Sequence, residues 1–312
     1  MEYITLKNSD LTVSRLCMGG CPMGGYGWGD VQDQELVDAV HTALDQGITF
    51  FDNADTYGLG HSEEVLGKAL GNRRKDVAIA TKFGVRVTDH GTVYDNSSSY
   101  IHEALSASLN RLGTDYVDLY QVHYRDGKTP ISEVVEALEK EKKNGRIRYY
   151  GLSNIHAEDM EELKDYKGKF VSFQEEYSLA TRKNESDIKL FSDEMEMNIL
   201  TWGSLGQGIL TGKYNKDNVN FGSDDRRSRD IYVNFHGEKL EQNLRIVEEM
   251  RPIAEGYDRS LSAVAIRFIL DHLKDSVVLC GAKRPSQVLG NVEGVDWHLT
   301  KEELKVLDEV SR

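Results

Sequence analysis

The run Leu16-Cys17-Met18-Gly19-Gly20-Cys21-Pro22-Met23-Gly24-Gly25-Tyr26-Gly27-Trp28-Gly29 decides between two architectures. It reads as a short apolar strand that empties into a glycine-rich loop. A doubly wound dinucleotide fold would place G-x-G-x-x-G at this junction, with a helix closing on the pyrophosphate. The glycines here have the wrong spacing for that turn. The nearest mimic, Gly206-Gln207-Gly208-Ile209-Leu210-Thr211-Gly212, comes late and is one residue too long.

Working outward, further short apolar runs fall at 48–52, 77–82, 116–122, 147–152, 170–174, 198–202 and 277–280. Helical spacing separates them near 33–46, 62–71, 98–111, 131–143, 157–164, 184–196 and 261–272. Ser62, Ser99 and Asn184 are placed as helix caps. Gly47, Gly71, Gly113 and Gly145 fall where helices should stop. Alternating strands and helices suit a parallel barrel or an open sheet. Polar residues at the C-terminal ends of different strands favour the barrel, because that end is one face. The prediction is an α/β fold of the (β/α)8 type. The first 15 residues read as a hairpin, and residues 203–258 as a long insertion with its own helix near 238–256. An insertion on that face reads as a lid or ligand clamp. No linker, repeat or low-complexity tract interrupts residues 1–312, which are expected to form a single domain.

Composition removes several classes. Lys+Arg 38 against Asp+Glu 52 gives −14, the wrong sign for a general nucleic-acid or anionic-membrane binder. A phosphate-bearing ligand would need a local basic site. Cys17, Cys21 and Cys280 make no C-x-x-C, so neither a disulfide framework nor a zinc site is expected, and a reducing cytoplasm is. The N-terminus lacks a long apolar stretch, and no run approaches the ~20 residues of a spanning helix.

Asp52, Tyr57, Lys82 and His123 fall on the predicted active face. A phenol titrates near ~10, and a neighbouring ammonium is expected to lower that value. An aspartate beside the lysine would hold it in place. A histidine would orient a carbonyl oxygen or relay a proton. Such a set donates a proton where an oxyanion develops, which suits carbonyl reduction with hydride from a cofactor. Singly, each residue has a structural reading: a loop cap, a solvated charge, a packed ring, a semi-buried histidine.

These residues sit in longer motifs. Phe51-Asp52-Asn53-Ala54-Asp55-Thr56-Tyr57-Gly58 with Gly60-His61-Ser62-Glu63-Glu64-Val65-Leu66-Gly67 resembles the aldo-keto reductase signature. Ala80-Thr81-Lys82, the segment Leu109 to His123, and Gly145-Arg146-Ile147-Arg148 through Gly151-Leu152-Ser153-Asn154 resemble further segments of that family. The likeness spans nearly the whole chain and is strongest to the microbial branch with a short C-terminal tail. It implies a barrel plugged at its base by the hairpin, and NADP(H) extended over the open face, with NAD(H) as the alternative. It implies a catalytic tetrad of Asp52, Tyr57, Lys82 and His123, with Tyr57 the general acid. Ser153, Asn154 and Gln174 would bind the carboxamide, and Trp202 would stack on the nicotinamide. Gly203, Leu205 and Gln207 would line the pyrophosphate, and Gly212-Lys213-Tyr214 would follow in the clamp. Gly281, Lys283, Arg284, Gln287 and Asn291 would hold the adenosine phosphate end. Many relatives have arginine at Gln287, which bears on the choice between NADP and NAD. Met23, Tyr26, Trp28, Phe83, Tyr124 and Arg125 are candidate walls of a small-molecule pocket.

The expected activity is NADP(H)-linked reduction of aldehydes or ketones, or oxidation of sugar or polyol hydroxyls in reverse. A metal-dependent barrel hydrolase is disfavoured because no H-x-H occurs. A retaining glycosidase would need paired carboxylates, and Asp52 is better explained as the counter-ion of Lys82. A binding subunit resembling potassium-channel β subunits, with little turnover, is the alternative.

Overall fold

Parity along each strand builds this molecule, which the computed structural model describes over residues 1–312. Two strands, β1 (Tyr3–Thr5) and β2 (Thr12–Ser14), pair as an antiparallel hairpin. The chain then runs β3 (Leu16–Gly19), α1 (Asp33–Asp45), β4 (Phe50–Asp52), α2 (His61–Leu70) and β5 (Ala78–Phe83). A small outer hairpin, β6 (Val85–Thr88) and β7 (Gly91–Tyr94), precedes α3 (Ser98–Leu112) and β8 (Val117–Val122). Next come α4 (Ile131–Lys143), β9 (Ile147–Ser153), the single turn α5 (Met160–Leu163), β10 (Ser172–Glu176), α6 (Glu185–Glu194) and β11 (Asn198–Trp202). The last elements are α7 (Gly237–Tyr257), α8 (Leu261–His272), β12 (Val277–Gly281), α9 (Pro285–Val292) and α10 (Lys301–Val310).

Strands β3, β4, β5, β8, β9, β10, β11 and β12 close in that order into an all-parallel barrel. The fold is a (β/α)8 barrel. Successive side chains on a strand face opposite ways. Phe50, Ala78, Ala80, Leu119, Leu200 and Leu279 form an inner apolar cluster, while Phe51, Ile79, Tyr120, Ile199 and Cys280 join the outer layer under the helices. The hairpin residues Leu6, Leu11 and Val13 belong to the inner cluster, so they plug the barrel floor. Above the apolar layers, the same inward parity brings Asp52, Lys82, Gln121 and Gln174 together at the open end.

The helix starts depart from expectation. The α2 N-cap is Gly60 in a left-handed conformation, and Ser62 instead donates its hydroxyl to the Gly20 carbonyl at 2.8 Å. Ser97, not Ser99, caps α3. Asn184 precedes α6, but its amide donates to Glu175 and the Glu176 carbonyl rather than capping. Residues 157–166 break into short 3-10 and α turns. The hairpin β6–β7 and α10 had no expectation. Gly47, Gly71, Gly113 and Gly145 all have positive φ, as helix stops require. No helix is long and apolar enough to cross a membrane.

Leu11 is 4 % exposed within the floor plug. Leu11→Ala should cost about 2–5 kcal/mol of unfolding free energy in urea titration. A loss below about 1 kcal/mol would show that the plug does not support the barrel.

Candidate active site

The strand ends deliver a buried ion pair. The Lys82 ammonium donates to Asp52 Oδ1 at 2.6 Å and to the Asn53 carbonyl at 2.8 Å, and lies 3.2 Å from the Tyr57 hydroxyl. Lys82 has no exposed side-chain surface and Asp52 only 3 %. The other carboxylate oxygen, Oδ2, accepts from Gln121 Nε2 at 3.1 Å and Gln174 Nε2 at 2.9 Å. Every strong polar group of this layer therefore has a partner, as a buried charge requires.

Tyr57 arrives from the loop after β4. Its N–H donates to the Ala54 carbonyl, closing a turn, and Ala54 N–H donates to Asn53 Oδ1. Gly58 then crosses Gly24 back to back. A Cβ on Gly24 would lie 2.5 Å from Gly58 N, and one on Gly58 2.5 Å from the Gly24 carbonyl oxygen. Only glycine fits both sides of this crossing. His123 follows β8, with its N–H bonded to the Phe83 carbonyl. Its ring meets Tyr57 edge-on at 6.0 Å and stacks on Tyr124 at 5.1 Å.

Electrostatics corrects one expectation. Burial pushes the Tyr57 hydroxyl well above the ordinary tyrosine range, and Cys21, Asp52, Tyr124 and Asp55 add to the rise. The Lys82 ammonium, 3.2 Å away but matched by Asp52, does not outweigh that rise. Tyr57 is therefore a phenol at neutral pH. Burial, then the Lys82 charge, holds His123 well below the ordinary histidine value, so its imidazole is neutral.

The residues expected at the amide end lie together. Ser153 Oγ donates to the Gln174 carbonyl at 3.1 Å, and Asn154 Nδ2 donates to the His123 carbonyl at 2.9 Å and to Ser153 Oγ at 3.1 Å. Asn154 takes a left-handed φ of 53° to do so. Gln174 contacts Asp52 as well, which the sequence did not suggest. Trp202 ends β11, and its indole Nε1 is buried without a partner, as is His123 Nδ1. Gly203 turns with φ 65°, Leu205 packs on the core, and Lys213 lies exposed beside the Tyr214 ring. Gln207 donates to Glu176 and accepts from Asn234, so its side chain shapes the loop.

At the other end, Gly281 lies against Pro22. Lys283 Nζ donates to the Trp28 carbonyl, Arg284 pairs with Glu35 at 3.3 Å, and Gln287 accepts from Lys283 N–H at 2.7 Å. Asn291 lies on the buried face of α9. Burial, then repulsion from Arg284 and Arg227, lowers the Lys283 ammonium below the usual lysine value. Three cations thus crowd one place on a chain of net charge −14. The loops after β3 and β11 meet here: Arg226 N–H donates to the Gly27 carbonyl, and Trp28 meets Tyr232 edge-on at 6.1 Å. With amides at one end, a buried indole next and cations beyond, the donor set fits an extended ligand ending in phosphate.

Several wall assignments need correction. Phe83 is fully buried against Tyr120, because the residue after an inward lysine must point outward. Met23 is 1 % exposed in the outer core. Arg125 turns away to Glu162 at 2.7 Å, while Asp126 accepts the backbone N–H groups of Asn96, Lys128 and Thr129. Tyr26 lies on the outer rim with the Arg226 guanidinium over its ring and Arg229 bonded to its hydroxyl. Trp28 and Tyr124 remain at the mouth, beside Tyr232 and His123 respectively. Sequence reading missed Gln121, which inward parity with Leu119 would have flagged, and Arg227, which pairs with Asp225 and packs over Phe221. Glu185, His272 and Asp308 also converge, but the Arg182 guanidinium already contacts all three.

A model of the aldo/keto reductase family matches residues 15–312. The chain belongs to the aldo/keto reductase family. It is 34% identical over 310 residues to a probable voltage-gated potassium channel subunit beta of Oryza sativa, covering 95% of this chain and 92% of that one. It superposes with a TM-score of 0.89 on a glycerol dehydrogenase of Gluconobacter oxydans, 34% identical, covering 99% of this chain and 94% of that one. An aldo/keto reductase of Klebsiella pneumoniae, solved with NADP and acetate, gives a TM-score of 0.76 at 25% identity, covering 98% and 94%. Membership makes oxidoreductase chemistry the family setting of this site.

Removing one member of the buried pair strands the other. Lys82→Met should destabilise the fold by about 3–5 kcal/mol, and adding Asp52→Asn should recover much of the loss. A single variant as stable as the parent in chemical denaturation would contradict the pairing.

Proposed function

We propose that this chain, acting as one unit over residues 1–312, is an NADP(H)-dependent reductase of aldehydes or ketones with Tyr57 as general acid. The observation that carries the reading is the Lys82 ammonium touching both Asp52 and the Tyr57 hydroxyl, with the His123 ring beside it. Ser153, Asn154 and Gln174 would hold the carboxamide, Trp202 would stack on the nicotinamide, and Lys283, Arg284 and Arg227 would meet the phosphates. The Klebsiella neighbour's NADP supports that choice. When bound, the reduced nicotinamide supplies a hydride to the carbonyl carbon.

The chain's own residues do the rest. Tyr57 donates its proton to the carbonyl oxygen as negative charge builds there. Lys82 stabilises the resulting phenolate, and its ion pair with Asp52 fixes it at the hydroxyl. The neutral His123 imidazole can orient the carbonyl oxygen without adding charge. Because burial holds the phenol protonated, the free protein is set for reduction rather than for taking a proton from an alcohol. Trp28, Tyr124 and Tyr232 would form the walls of the mouth.

The likeness to a channel subunit supports a second reading, a regulatory partner with little turnover. The full Asp–Lys–Tyr–His set favours chemistry. A panel of aldehydes, ketones and sugars assayed with NADPH and NADH distinguishes them, since negligible turnover throughout would leave the partner role. Tyr57→Phe should leave NADPH binding near that of the parent and cut turnover by ~10² or more. Near-normal turnover would remove Tyr57 from the acid role. Lys283→Ala should weaken NADPH binding more than NADH binding in fluorescence titration, and equal losses would mean that Lys283 does not read the 2′-phosphate.

A further inference from the structure

Asp55 is an acid that the proposed reaction leaves unused. It lies inside the turn from Ala54 to Tyr57 that presents the phenol. Its Oδ1 is sealed from solvent and has no hydrogen-bond partner. Its Oδ2 is 3.5 Å from the Tyr100 hydroxyl. That hydroxyl can donate to Asp55 or to the Val85 carbonyl, which is closer at 3.0 Å. With its one proton on the carbonyl, its oxygen is open to accept from a protonated Asp55.

The surroundings supply no better partner. Glu63, from α2, faces Asp55 as a like charge, itself bonded to Arg111 and Thr81. Arg111 from α3 and Lys82 from β5 are the nearby cations, and both are engaged, by Glu63 and Asp52. The remaining titratable neighbours are the phenols of Tyr57, Tyr100 and Tyr120, with the Arg86 guanidinium over the Tyr100 ring. The Arg111 charge, the Thr56 backbone N–H and the Lys82 charge favour the charged form. Burial, reinforced by Glu63, pushes the Asp55 carboxyl up to about 7.

We propose that Asp55 is a positioning residue, held as a neutral acid that donates to Tyr100, fixing the turn that presents Tyr57 and sparing that phenol a second negative neighbour. The idea rests on Tyr57 being the proton donor. Ionisation of Asp55 breaks the contact with Tyr100 and places a charge two residues from the phenol. The phenol then holds its proton more tightly and donates it less readily. Asp55→Asn keeps the shape, cannot ionise, and its amide can still donate to Tyr100.

Infrared spectroscopy of the full-length protein reads the protonation directly. Parent minus Asp55→Asn should show the carbonyl band of a neutral carboxylic acid at about pH 6 that fades by about pH 8. No such band at about pH 6 overturns the proposal. The reduction rate reads the positioning. The parent kcat should fall several-fold between about pH 6 and about pH 8, while Asp55→Asn holds its own value across that window. Superimposable profiles overturn the positioning role even if the band is present. If the parent reduces no carbonyl at all, the proposed function fails, and the band still decides whether Asp55 carries a proton. Stability gives a separate sign. The folded carboxyl titrates above its unfolded value of about 3.9, so the parent should lose thermal stability relative to Asp55→Asn as pH rises from about 4 to about 7. A constant difference across that range contradicts the neutral acid.

Discussion

An ammonium with no exposed surface is tolerated inside a protein only when its charge is matched and its hydrogens are used. Lys82 meets that condition through Asp52, the Asn53 carbonyl and the Tyr57 hydroxyl. Asp52 in turn is completed by Gln121 of β8 and Gln174 of β10. The pair therefore constrains four strands and the loop after β4 at once. The layers beneath, from Phe50 to Leu279, are mainly apolar and closed by the hairpin. The proposed proton transfer lies at the depth at which these charges are paired.

The mouth above this layer is shaped by glycine and by cations. The loop after β3 touches Tyr57 and Gly58 through Gly24, Arg226 through Gly27 and Lys283 through Gly29. It thus links Tyr57, the proposed proton donor, to the basic end of the proposed nucleotide groove. The loop after β11 reaches the same segment through Arg226 and Tyr232. A Cβ on Gly24 would lie 2.5 Å from Gly58 N, and one on Gly27 2.3 Å from Cγ of Arg226. Geometry in one loop is consequently felt in the other.

Much of this was legible because strand parity and helical spacing are physical periods. The eight barrel strands, the plug and the insertion follow from them, and the barrel brings Asp52, Tyr57, Lys82 and His123 to one face. What escaped depended on neighbours distant in sequence. Phe83 is aromatic and follows the lysine, yet parity sends it outward; counting from Lys82 would have placed it correctly. Arg125 found Glu162, a partner 37 residues away that no local pattern announces. Ser62 reads as a cap but serves Gly20 across the mouth. A lysine considered alone is a charge that would lower a neighbouring phenol, whereas a lysine bonded to Asp52 is largely compensated. The Val85 carbonyl that competes with Asp55 for the Tyr100 hydroxyl is visible only in three dimensions.

The account turns on Tyr57 being a neutral phenol beside a self-compensated ion pair. An ultraviolet pH titration of the parent against Tyr57→Phe, following the absorbance of tyrosinate, isolates that group in the free protein. The account predicts no difference signal from phenolate at neutral pH, with ionisation only above the ordinary tyrosine value of about 10. A tyrosinate difference already present near neutral pH would show that Lys82 acts as an uncompensated charge, and would contradict it.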